Sequence, residues 1–412
     1  MHKKITMTLA LLLASSLAFA AEHTTDSLLK SSDQQTNSKP HKRISRPQMN
    51  GVFSVDLIAK NGRVHLLTGT RQAGQKSLEY RYSDDGGQHW SNNNKVLNND
   101  DLAIRAARGN DAQIAVQGEN IVVTWAKFDP AVRFNAGPMQ AARSVDGGAS
   151  WQTSATPPDW NEGSHGFADM ASDNKFIHAV WLDSRPINKE AKGRQGVRYA
   201  RSSDGGLSWQ KNLTVDGYSC SCCWNTITTD DKENAYILYR DKNPSDLSIG
   251  VINSQQQWQY LSHVGDFNWQ FDGCPHIGGG LAFQAAPGHK RLHSVVGTGH
   301  PEHLGIYYLQ SDDAGQSWSS AKPLGDESAI HSDIAAHDDG RVIAVWDMMG
   351  EAGLAIFFAE SKDHGKRWSS AKQLSAPHRR ASHPRIVKTN NGFLAAWTES
   401  DGKQQLLVTK GL

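Results

Sequence analysis

Ser202–Trp209 reads SSDGGLSW, and the same pattern, S-x-D-x-G-x-x-W, returns at Ser83–Trp90 (SDDGGQHW), Ser144–Trp151 (SVDGGASW), Ser311–Trp318 (SDDAGQSW) and Ser361–Trp368 (SKDHGKRW). Each copy ends an aromatic or aliphatic run that reads as a strand, such as GVRYARS or LGIYYLQS. A Ser hydroxyl and an Asp carboxylate can accept hydrogen bonds from turn amides, Gly tolerates positive φ, and Trp packs under the loop. The pattern therefore predicts a hairpin turn. It is scaffolding rather than a reactive motif.

Around these turns the chain divides into repeats, which argues for one closed architecture across most of its 412 residues. Units begin near residues 51, 108, 163, 220, 274, 331 and 383, each with runs of period-two alternation that read as four strands. In the fourth unit the turn has decayed to NSQQQW and only Trp258 survives. Counting Trp258, successive turn tryptophans fall 49 to 61 residues apart, which leaves room for sizeable loops. The seventh unit stops one strand short, and Arg43–Asn50 is expected to supply that strand and remove an exposed sheet edge.

The repeated pattern is the Asp-box, and from about Gly51 onward the chain resembles the Asp-box (BNR-repeat) β-propellers of the sialidase/neuraminidase superfamily. The resemblance implies an all-β fold, a single β-propeller of four-stranded blades over residues 43–412, with the boxes away from the active site. The repeats count to seven blades; the sialidases it resembles have six, so six is the alternative. Sialidase activity would imply three arginines on a substrate carboxylate, a Tyr/Glu nucleophile pair, an Asp acid/base and an Arg-Ile-Pro opening. The nearest stretch here is RISRPQ, Arg43–Gln48, with two residues between Ile44 and Pro47. After the second strand of the first unit, TGTRQAGQKS offers no carboxylate, so no catalytic residue carries over.

With 43 Lys and Arg against 42 Asp and Glu, the chain has no basic excess and no dense cationic cluster, so nothing suggests nucleic-acid binding. Residues 1–20 combine a short basic start, an apolar run and Ala18-Phe19-Ala20, the signature of a secretory signal peptide. Residues 21–42 read as a disordered polar lead-in. No later apolar run reaches the roughly 18 residues of a membrane span. The expectation is an exported protein, periplasmic or secreted.

A propeller gathers the starts of its inner strands at one mouth of its channel, so residues at equal offsets converge there. At that offset lie His165, Cys220, Cys222, Cys223, Cys274, His276, His331 and His383, including all four cysteines. Two readings stay open: disulfides, as an even count in an exported chain suggests, or a thiolate and imidazole metal site suited to copper, with zinc as the alternative. Met348 and Met349 could add soft ligands. A second row follows the second strands: Arg71, Lys127, Asp183, Arg185, Arg240, Asp241, His300, Asp347 and Glu399. Of these, Asp183, Arg185, Asp347 and Glu399 are candidate catalytic groups, against the plainer reading of solvated strand ends.

The expected function is a ligand-binding or accessory propeller with a Cys/His metal site, taking a small-molecule, glycan or metal ligand and no organic cofactor. The alternatives are a sialidase-like glycoside hydrolase and a protein-interaction platform.

Overall fold

A computed structural model describes residues 49–97, 102–132, 136–186, 195–286 and 289–412. The proposed signal peptide and lead-in, and nearly all of Arg43–Asn50, lie outside these residues. Among the described residues every regular element is a β-strand.

The repeated turns close as their chemistry requires. At Ser202–Trp209 the Ser202 hydroxyl donates to Asp204 Oδ1 at 2.7 Å and accepts from Gly206 N at 2.8 Å. Asp204 Oδ1 also accepts from Ser208 N at 2.9 Å, and its other oxygen from the Ser208 hydroxyl at 2.6 Å. The serine and backbone bonds recur at Ser83, Ser144, Ser311 and Ser361, with His89 and Arg367 side chains in place of the second hydroxyl at Ser83 and Ser361. In the decayed copy Asn253 replaces it, accepting from Gln257 N at 2.9 Å.

Four units form separate antiparallel sheets of four strands, such as His165–Ser172, Ile177–Asp183, Gly196–Ser202 and Leu213–Asp216. The second unit adds Ile104–Arg105 beside Asn120–Phe128, along with the first strand Gln113–Gln117. The first and last units share one seven-stranded sheet, because Asn50 and Gly51 pair in parallel with Gln404 and Gln405. The seam is thus closed by the start of the first inner strand lying against the last unit's third strand; the expected extra strand falls outside the described residues.

The first strands, Asn50–Lys60, Gln113–Gln117, His165–Ser172, Thr226–Thr229, Gly279–Ala286, Ser332–Ala336 and Arg380–Thr389, each neighbour the next, and the last returns to the first. The sheets therefore pack face to face around an axis. A second strand such as Ile177–Asp183 (IHAVWLD) is buried along its whole length because sheets cover both its faces. Trp181, Trp346 and Trp397 fill these interfaces, each fully buried side chain contributing about 3 kcal/mol.

The turns also join neighbouring units. Gly148 lies against Tyr80, Gly206 against Val122, Gly365 against Tyr308 and Gly87 against Leu394, each pairing a turn with the preceding unit around the ring. At Gly206 φ is +83° and an added Cβ would sit 2.4 Å from Val122. Gly206→Ala should therefore cost roughly 2–4 kcal/mol, through strain and overpacking together. Asp204→Ala, at an exposed carboxylate that caps backbone N–H groups, should cost only about 1 kcal/mol. Urea unfolding of the two variants measures the difference, and equal losses would show that the turn does not wedge the units.

Candidate metal centre

The inner strands enter the channel mouth irregularly. Ladder register shifts between Gly166 and Asp169 and again between Ser382 and Arg385, and such bulges re-aim side chains. Phe167, His276 and His383 adopt left-handed backbone with φ of 51°, 53° and 53°, a conformation that costs a non-glycine residue about 1 kcal/mol or more.

Beneath Phe167 the thiols gather. Cys220 Sγ lies 3.2 Å from Cys223 Sγ and 3.9 Å from Cys222 Sγ. All three cysteines are buried, in a core cluster with Phe167, Val180, Leu182 and Tyr239. The exposed Cys274 interacts through its thiol with Cys222, and no disulfide joins any of the four. The Cys222 and Cys223 thiols hydrogen-bond to the Cys220 sulfur and pull its pKa down to about 2, while burial pushes Cys223 up to about 12. Arg240 is the nearby cation and favours the ionised form of Cys220.

A second set of donors faces the axis. The His331 and His383 rings stack at 3.8 Å with an 18° tilt. Asp347, fully buried, accepts His331 Nδ1–H at 2.8 Å and His383 N–H at 2.8 Å. His383 is held neutral, chiefly by burial and then by repulsion from His331, Arg108 and His276. Trp224, next in sequence to Cys223, separates the two sets: it packs on the cysteine-containing cluster, and its ring lies 5.5 Å from His331 and 6.2 Å from His383. The residues that share one sequence offset thus fall into two groups, the three cysteines and the histidine pair with Asp347, rather than one.

His165 belongs to neither cluster. It is fully buried, with Nε2 3.0 Å from the Trp160 carbonyl and 3.5 Å from Asp183. Met348 turns its sulfur to the Trp346 indole N–H at 3.3 Å, and Met349 is exposed.

The second row is mostly structural. Asp183 is buried, bonded to Trp181 Nε1 and to Arg185; burial pushes its carboxyl up, but the His165 and Arg185 bonds outweigh this and hold it low. Arg185 is further tied to Asp159 at 2.6 Å. Glu399 repeats the arrangement, accepting from Trp397 Nε1 at 3.0 Å and from Ala376 N at 3.1 Å. Arg240 donates to the carbonyls of Ile277, Ser245 and Gly297. Arg71 donates to the Met49 carbonyl at 3.2 Å, and Lys127 is exposed.

Sequence reading missed the centre of the channel. Asp56, Asp169 and Asp333 occupy one offset of the inner strands, and each accepts a backbone N–H from the next unit, at Ile114, Ile227 and Ile386. The last unit carries Arg385 at that offset, 3.2, 3.7 and 3.6 Å from the three carboxylates. The signal was present in SVDL, FADM, HSDI and HPRI, which align without gaps.

The mouth pocket between these groups holds about 30 Å³ and is lined by Arg108, Asp111, Gln113, Trp224, His331, His383 and Arg385 among others. That is room for an ion with a water or two, far less than a sugar ring needs.

The sequence matches no family model and no curated protein. Among solved structures, one similar chain is a polysaccharide lyase, PL25 ulvan lyase, with a TM-score of 0.56, 10% identity, and coverage of 88% of this chain and 96% of that one. The fold is a β-propeller. The same enzyme bound to -[GlcA(1-4)Rha3S]- matches at a TM-score of 0.55, with 10% identity over the same shares of both chains. The intramolecular trans-sialidase from Ruminococcus gnavus matches at 0.46, with 13% identity over 88% of this chain and 95% of that one. At such identities the likeness speaks for the propeller alone. No tyrosine or glutamate lines the mouth pocket, and both its arginines are committed to carboxylates.

The channel centre makes a pH prediction. Burial raises Asp56 to about 7 and Asp169 to about 6, with Arg385 opposing. The folded chain therefore keeps protons that the unfolded chain releases above about pH 4, so stability from these groups is present in acid and lost as pH rises toward 7. Buried histidines, His65 at about 4 and His293 at about 3, act in the opposite sense, so the comparison needs a variant. Asp56→Asn should gain on the wild type between about pH 5 and 7.5 in denaturant midpoint; a constant gap would show that Asp56 does not titrate there.

Proposed function

We propose that this is an exported, seven-bladed propeller of the Asp-box type that binds a soft transition-metal ion, copper by preference, and acts as a binding or accessory protein. The thiol cluster carries the reading: Cys220 Sγ lies within 3.9 Å of the Cys222 and Cys223 sulfurs, the Cys274 thiol reaches Cys222, and a group of thiols so placed suits Cu(I) or Zn(II). The cyclic succession of seven first strands supports the blade count.

A glycan-processing enzyme is the second reading. It rests on His331, whose imidazole is oriented by a buried carboxylate in the manner of a general base. The size of the pocket and the engaged arginines weigh against it. Turnover of a fluorogenic sialoside or an anionic polysaccharide, abolished in His331→Ala, would establish the enzyme.

For the metal reading, reduced protein should take one Cu(I) per chain from a chromophoric chelator. Cys222→Ser and Cys223→Ser should each weaken that binding at least tenfold, with the melting temperature nearly kept. Unreactive thiols and no Cu(I) or Zn(II) uptake would make the cysteines bridges in the native protein and end this reading.

A further inference from the structure

The mouth pocket contains a second, unexplained set of polar atoms. Of the buried side-chain atoms without a hydrogen-bond partner, Arg108 Nε, Gln113 Oε1, His383 Nδ1 and Arg385 Nε all belong to residues lining this one pocket. Unpaired buried polar atoms are costly and rare, and several around one cavity point to an occupant.

Charge decides the sign of that occupant. Arg108 is paired to Asp111 at 2.5 Å, and Arg385 stands among Asp56, Asp169 and Asp333, with Asp347 behind the histidines. Carboxylates outnumber guanidinium groups, so a cation fits better than an anion. Chemistry narrows it further. Because Asp347 can only accept, His331 Nδ1 must carry the proton of that bond, which leaves Nε2 with its lone pair. The ligand atoms of His331, Asp347 and His383 lie within 4.8 Å of one another. Asp347 receives the ring Nδ1–H of His331, as the outer carboxylate of a carboxylate–histidine–metal arrangement does, and also the backbone N–H of His383.

We infer that His331 and His383 form a second ion site, separate from the thiols, for a borderline divalent ion such as Zn(II) or Cu(II). Asp347 is its positioning residue, and water completes the coordination within the pocket. His383 Nδ1 has no hydrogen bond to lose on turning its ring to an ion. Trp224 then stands between a soft sulfur site and a nitrogen site. The inference does not rest on the thiol reading, and either can fail alone.

The test uses the full chain with Cys220, Cys222, Cys223 and Cys274 all changed to Ser, so that Cu(II) meets no thiol to oxidise. One equivalent of Cu(II) should bind with nitrogen superhyperfine structure in its electron paramagnetic resonance spectrum. Adding His331→Ala or His383→Ala should abolish that signal, and Asp347→Asn should weaken binding 10- to 100-fold while the nitrogen signature persists. If the four-serine chain does not fold, Co(II) titration of the wild type replaces it. The thiol site then gives sulfur-to-cobalt charge transfer, and the histidine variants should remove a second equivalent without changing that band. Cu(II) or Co(II) binding unchanged by His331→Ala and His383→Ala, or no nitrogen-ligated ion at all, overturns the proposal. Loss of the charge-transfer band with the nitrogen site intact would count against the thiol reading only.

Discussion

Apart from the two parallel pairs at Asn50 and Gly51, neighbouring sheets of this ring meet face to face without a shared ladder, so the inner edges of first strands are left with backbone N–H groups that need acceptors. Carboxylates supply them. Asp56, Asp169 and Asp333 each bond the strand that follows around the ring, and Arg385 stands among them as the common countercharge. A buried carboxylate left alone would carry a large desolvation cost. One arginine, at the offset where three other units carry aspartate, makes the arrangement tolerable.

The repeated turn was fully legible, because its geometry is local: eight residues contain every donor and acceptor that closes it. What the offset could not convey was the effect of the bulges at Gly166 and Ser382, where strand register shifts. Equal sequence offset then stops meaning equal height, and His165 drops into the core beside Asp183 while His331 and His383 stay at the pocket.

Other features were hidden because they are pairings across strands. His65, His178 and His293 each hydrogen-bond a tyrosine on the adjacent strand, Tyr80, Tyr199 and Tyr308, at 2.8, 2.7 and 2.7 Å. Nothing in a single strand announces such a partner. The carboxylates at the ends of second strands looked like a catalytic row for the opposite reason: their sequence position was correct, but Asp183 and Glu399 are spent on the indole N–H two residues earlier in the same strand. At the pocket itself stand His331 and His383, of which His383 Nδ1 has no hydrogen-bond partner.

The glycine wedges bear on how the molecule comes apart. In an open solenoid each repeat leans on its neighbours and the end repeats fray first. Here the turn of the first unit presses Gly87 against Leu394 of the last, so the ring has no outer repeat to lose. Two joints are lighter than the others: the two parallel pairs at Asn50 and Gly51, and the junction at the fourth unit, where Asn253 stands in for the missing turn. Amide exchange under native conditions would be concentrated at these two places, the second of which belongs to the unit that carries the thiols.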